Sequence, residues 1–209
     1  MGRGSELFVW LVTETAGFES GWIELDGLEL HVEGRAVGQR PEPYWLSYVL
    51  ETDARAATTR LQVTAVTAVT ENVLDLRRSG EVWVVNGESR AELAGALDCD
   101  LACSHVTNTM PIIRHRLHRE AGSERFTMAF VQVPTLRVLA VRQQYRHLGR
   151  VPGGARVRYS SGRFSSDLIV DERGLVLTYP TMATRIHPES ESGTSGRARG
   201  PGSPKPSAS

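Results

Sequence analysis

Apolar and polar residues alternate with a period of two along most of this chain. No segment holds an apolar stripe of 3.6-residue period for three turns. That pattern commits the chain to β structure. The clearest hairpin runs from Gly21 to Gly34, with Asp26-Gly27 as a two-residue turn that tolerates positive φ. Pairing Leu25 with Leu28 and Ile23 with Leu30 puts four apolar side chains on one face and Glu24, Glu29 and His31 on the other. Further strands are expected at 6–13, 43–52, 58–70, 72–78, 81–86, 113–119, 125–133, 135–147, 155–161, 165–170 and 174–179. Turn signals such as Arg78-Ser79-Gly80, Asn86-Gly87 and Arg173-Gly174 separate them. So many antiparallel strands joined by short turns cannot stay flat. The expected fold is all-β with minor short helices, at 88–96 and 102–110, and a highly curved antiparallel sheet forming a barrel or half-barrel.

A chain of 209 residues can bury a real core without staples. Residues 5–187 read as a single β domain. From Pro188 the composition collapses to small, polar and charged residues that cannot repay their ordering entropy, so 188–209 is expected to be a disordered tail. Lys plus Arg equal Asp plus Glu at 24 each, which gives no global field toward nucleic acid or anionic membrane. Locally, 126–166 holds Arg137, Arg142, Arg146, Arg150, Arg156, Arg158 and Arg163 with no acid. Acids gather at Glu24, Asp26, Glu29 and Glu33, and at Glu88, Glu92, Asp98 and Asp100. These segments are expected to neutralise one another across neighbouring strands, or else to leave a basic rim for an anionic ligand. On a strand, Cys99 and Cys103 would stand ~13 Å apart, beyond disulfide reach. The apolar run Leu7–Val12 is too short for a signal segment or a membrane span. A cytoplasmic protein without integral membrane association is expected.

Residues 98–114 crowd together acids, thiols, histidine and hydroxyls. Cys99, Cys103, His105, His115 and His118 offer zinc ligand types, but their spacing lacks the tight thiol knuckle of such sites, so no metal is expected. Asp98 and Asp100 share one face of a strand, a minimum condition for an acid–base pair, with Ser104 and His105 close in sequence. No nucleophile elbow, zinc-protease helix or phosphate-cradling glycine loop accompanies them. Thr107-Asn108-Thr109-Met110-Pro111 reads as a tightly fixed corner. It either satisfies backbone groups or offers neutral hydrogen-bond partners to a hydroxyl-rich ligand. Toward the C-terminus, Tyr145, Arg158, Tyr159, Phe164, Tyr179 and Arg185 could stack bases. A neutral chain without an RNP-like motif argues instead for tyrosines buried in a curved sheet, and no nucleic-acid partner is expected.

Leu93-Ala94-Gly95, Asp98-x-Asp100-Leu101 and Thr107-Asn108-Thr109-Met110-Pro111-Ile112, followed by Gln144-Tyr145, Arg158-Tyr159-Ser160, Leu168-x-Val170-Asp171, Gly174-Leu175-Val176 and Tyr179-Pro180, together resemble the putative glycolipid-binding protein family of bacteria. Tyr48, Asp53, Thr59-Arg60-Leu61-x-Val63, Trp83 with Gly87, and Arg185 also fit, so the resemblance covers nearly the whole folded part. His105, Met110 and Ile113 depart from the family pattern, which has proline, leucine and a second arginine there. The resemblance implies a strongly curved, barrel-like antiparallel sheet, similar to that of periplasmic carriers that shield lipid chains. It also implies a glycolipid ligand by analogy of fold.

The expectation is a non-enzymatic protein that needs no cofactor and binds a lipid-like or small amphipathic ligand in a cavity of the sheet. Leu139, Val141, Phe130 and Ile169 would line the tail. Thr107, Asn108, Thr109, Arg114, Tyr145, Arg158, Tyr159 and Arg185 would serve the head group. Two alternatives are a hydrolase or isomerase using Asp98 and Asp100, and an interaction module using the basic 126–166 stretch.

Overall fold

The computed structural model describes residues 5–186. Both the tail expected at 188–209 and the domain boundary at 187 lie outside the described residues. Fifteen strands follow in chain order: β1 (Ser5–Val12), β2 (Gly17–Asp26), β3 (Glu29–Gly38), β4 (Tyr44–Thr52), β5 (Thr58–Thr67), β6 (Glu71–Ser79), β7 (Val82–Val85), β8 (Glu88–Ser89), β9 (Asp98–Leu101), β10 (Ser123–Val131), β11 (Val138–Val151), β12 (Gly154–Ser161), β13 (Phe164–Asp171), β14 (Val176–Tyr179) and β15 (Ala183–Arg185). They form one sheet in the order β8-β7-β6-β5-β4-β3-β2-β1-β15-β14-β13-β12-β11-β10-β9. Each half is a meander of neighbouring antiparallel strands, apart from β9, and β1 joins the halves by pairing with β15. The fold is all-β, as the alternation requires.

The sheet curls without closing. Its edges are β8, two residues long, and β9, which runs parallel to β10 and pairs with nothing else. Of the two expected forms, the closed barrel is therefore not made. The reason lies in the chain after β9, which turns into the curl. The segment 96–118 touches strands from almost every part of the sheet. Ala96 O accepts from Trp83 Nε1 of β7 at 2.9 Å, and Cys99 N donates to Thr58 Oγ1 of β5 at 3.0 Å. Ser104 meets Tyr48 of β4, and Asn108 meets Tyr145 of β11. The His105 ring packs edge-on against Tyr179 of β14. Only a segment inside the curl can reach all of these at once. Leu101, Val106, Met110, Ile112 and Leu117 are accordingly buried in one core with Phe8, Trp10, Leu50 and Leu76.

Three sequence expectations are corrected by the fold. Residues 113–119 are not a strand: a 3₁₀ turn at Val106–Asn108 runs into α1 (Thr109–Arg114), and tight turns carry the chain on to Glu120. Apolar Met110, Ile112 and Ile113 are all buried, so they leave no polar face for alternation to report. The helix expected at 88–96 is reduced to a 3₁₀ turn at Ala91–Leu93. The first hairpin forms two residues out of the expected register. Leu25 pairs with Leu30 and Ile23 with Val32, and Gly27-Leu28 makes the turn with Gly27 at φ 62°. A slip of two preserves parity, so the apolar face is unchanged. The turn selects the register, because it takes glycine at its first central position.

Glycine also shapes the sheet where β2, β3 and β4 cross. Gly21, Gly34 and Tyr48 are direct cross-strand neighbours. A β-carbon on Gly34 would lie 2.3 Å from the Tyr48 ring. The bare backbone lets that ring lie across β3 and carry its hydroxyl to Glu19 of β2.

Candidate functional site

Where 98–109 passes under the C-terminal meander, a cavity of about 330 Å³ remains. Its polar lining comes from Asp100, Ser104, His105, Asn108, Gln143 and Ser161. Its aromatic lining is Tyr159, Phe164 and Tyr179, whose ring centroids stand 6.0–6.3 Å from one another. Phe130, Val141 and Met182 add apolar surface, and Glu14 of the β1–β2 turn borders it. A larger, open trough of about 630 Å³ crosses the outer face of β1–β6. Polar groups converge in the smaller cavity, so that is where the site is placed.

Parallel pairing with β10 sets Asp100 opposite Phe130 and Asp98 opposite Met128. The two carboxylates share a face, as their spacing demands, but not a site. Asp98 is fully buried and grips Arg114 of α1 through both oxygens, while Arg114 Nη1 also donates to Ala56 O at 2.9 Å. Asp100 faces the cavity. Thr107 Oγ1 donates to its Oδ1 at 3.0 Å and Gln143 Nε2 to its Oδ2 at 2.6 Å. Burial outweighs those bonds and raises the Asp100 carboxyl above the ordinary carboxylate range. Behind Gln143, the Tyr145 hydroxyl donates toward Gln143 Oε1 and Asn108 Oδ1. Asn108 Nδ2 in turn bonds His105 O.

A second network holds His105. Glu19 of β2 is fully buried. Its Oε1 accepts from Tyr48 Oη at 2.6 Å and Ser104 Oγ at 2.5 Å, and its Oε2 accepts from His105 N at 3.0 Å. Among the described residues no Arg or Lys pairs with it. Its one basic neighbour is His105, whose Nδ1 lies 3.6 Å from Oε2 and has no hydrogen bond. The ring is wedged between Tyr179 and Trp10. With Nδ1 turned to Glu19, the rest of the imidazole is what meets the cavity.

The residues singled out from the sequence divide three ways. Asn108 and Tyr159 line the cavity, while Thr107 and Tyr145 hold its polar wall from behind. Thr109 is buried at the start of α1, and its hydroxyl lacks a partner. Three arginines are committed elsewhere: Arg114 to Asp98, Arg158 to Asp167 at 2.7 and 3.0 Å on the outer face, and Arg185 to Glu6 at 2.5 Å beside Trp10. Of the expected tail-lining residues, Phe130 and Val141 reach the cavity and Leu139 is Phe130's cross-strand neighbour. Ile169 pairs with Arg156 on the opposite face from buried Leu168 and Val170. The basic stretch is exposed along β11–β13. Its one close acid there is Asp167, and the 24–33 acids lie away on β2 and β3. Burial pushes the Cys99 thiol up to about 12 and the Cys103 thiol higher still, so both are inert. His115 packs on Phe126, and His118 Nδ1 faces Ile112 O, so the zinc-type ligands are dispersed through the plug and its flank. Glu19 and Gln143 are the residues of this candidate site that the sequence reading missed. Parity would have found Glu19: counted back from Ile23, it falls on the core face.

Fold and cavity together describe an open, plugged β-sheet protein with a small aromatic-walled site. The family model described as Putative glycolipid-binding matches residues 7–185, and the chain belongs to that family. Among solved structures it is similar to a DUF1089 family protein from Pseudomonas aeruginosa. The two are 26% identical with a TM-score of 0.68, over 80% of this chain and 92% of that one. No curated protein matches the chain. Among the described residues, no helix is long and apolar enough to cross a membrane.

Proposed function

We propose that this protein binds an amphipathic glycolipid-like ligand by an uncharged sugar head group. One observation carries the reading: three packed rings and four planar polar side chains line a cavity whose described lining contains Asp100 and Glu14 but no Arg or Lys. Aromatic faces suit the C–H faces of a sugar, and Asp, Asn and Gln supply paired acceptors and donors for its hydroxyls. A phosphate or sulfate would find no Arg or Lys in the described lining to balance its charge. The volume stands at the low end of the ~300–1,000 Å³ usual for ligand sites. It suits one head group, with the tail leaving past Phe130, Val141 and Met182. The core offers the tail no room because the plug fills it.

Saturation-transfer NMR with octyl β-D-glucoside below its micellar concentration tests this, with octyl phosphate as control. Saturation is expected on the sugar ring protons, weakened several-fold in Tyr159→Ala and Asn108→Ala, and absent from octyl phosphate. Saturation confined to the alkyl chain, or equal for both probes, would overturn the reading.

A further inference from the structure

We propose that the cavity hydrolyses the glycoside it binds, with His105 as general base and Asp100 as general acid; this rests on the sugar-binding reading above. Three ionisable side chains, Glu14, Asp100 and His105, line one small space; Asp100 and His105, five residues apart on the 98–109 segment, are each fixed from behind by a separate network. Thr107 and Gln143 hold Asp100 by one lone pair on each oxygen, which leaves the others free to carry a proton toward the cavity. Glu19, the Glu19–Ser104 bond and the flanking rings hold His105.

Glu19 is the observation that a binding site does not explain. A fully buried carboxylate with no Arg or Lys beside it, among the described residues, is costly to keep. A neutral glutamine could also accept from Tyr48, Ser104 and the His105 amide. What glutamine could not do is offset the positive charge that imidazole gains on taking a proton. The carboxylate 3.6 Å from an unpartnered Nδ1 is placed for that. Glu19 is thus a positioning residue. Ser104 Oγ is spent on Glu19, so the attacking group is water. Burial of Asp100 adds support, since it keeps a carboxyl in its proton-donating form.

In the step, His105 removes a proton from a cavity water as the water oxygen bonds to the anomeric carbon. The bond from that carbon to the aglycone oxygen breaks, and the Asp100 proton passes to that oxygen. The products are free sugar and alcohol, with nothing oxidised or reduced. The proton on His105 returns to Asp100 through solvent.

The test uses the full chain and a panel of 4-methylumbelliferyl hexosides and N-acetylhexosaminides of both anomers, read by fluorescence for cleavage and by saturation-transfer NMR for binding. Release from at least one is expected. Asp100→Asn and His105→Gln are each expected to lower kcat about 10²–10⁴-fold while binding persists. Glu19→Gln is expected to lower kcat about tenfold or more with KM kept, partly restored in Glu19→Asp. Circular dichroism confirms that each variant is folded. If Glu19→Gln does not fold, His105→Gln and Asp100→Asn carry the test. Sugars that bind but are released no faster than by Asp100→Asn would overturn hydrolysis and leave the binding reading standing. No binding to any sugar would overturn both.

Discussion

Among single residues, those that shape the cavity also strain the fold. Folding raises the Asp100 carboxyl above its ordinary value of 3.8, chiefly through burial. The native state therefore holds that proton more tightly than the unfolded chain does. The stability this contributes is complete below about pH 4 and is lost as pH rises through the raised value. Asp100→Asn is expected to raise the melting temperature at pH 7 by about 2–4 °C, the size of ~1 kcal/mol in a domain this large, with the gain vanishing near pH 4 in calorimetry. Burial raises the Asp98 carboxyl too, but its charge is matched by Arg114. Arg114→Ala strands a fully buried carboxylate and is expected to cost about 3–5 kcal/mol in urea unfolding. Sequence alone could put these acids on one face, since parity requires it. It could not show that Arg114 would take one and leave the other, because the partner lies 16 residues on in a helix that alternation does not reveal.

Among elements, β3 works as a spacer as much as a strand. Gly34 gives up its side chain so that the Tyr48 ring can cross it to Glu19. Gly34→Ala is expected to destabilise by about 1–3 kcal/mol through overpacking and to shift Tyr48 off Glu19, which the Tyr48 ring resonances would register in NMR. Strands 44–52, 71–79, 154–161 and 164–171 fall within two residues of expectation because each alternates between turn signals. Two kinds of element escaped. Short strands such as β9 and β15 hold too few residues to show a period. On β2, whose second half the expected hairpin already held, the first half escaped because Phe18 and Trp22 face out while Glu19 faces in. Hydropathy misplaces such a strand at the residues that matter to the site.

For the whole molecule, the plug couples the two meanders and sets their response to acid. His118, at the end of the plug, has its proton affinity lowered from 6.5, first by burial. A group held neutral in this way contributes stability above pH 6.5 that is lost as pH falls through its lowered value. The melting temperature is expected to drop between pH 6.5 and 5, and less so in His118→Gln. Curvature was legible from the number of strands and the brevity of their turns. The filled interior was not, because Met110-Pro111-Ile112-Ile113 looks the same to a periodicity count whether it paves a sheet or fills one. Finally, the seam between β1 and β15, where Trp10 faces Arg185, bears on how the chain is made. Of the described strands β1 comes first and its partner β15 last, so one of its two edges stays bare until nearly all of the described chain has followed. Joining the two meanders therefore waits on a contact of long sequence separation, with one edge of β1 open until it forms.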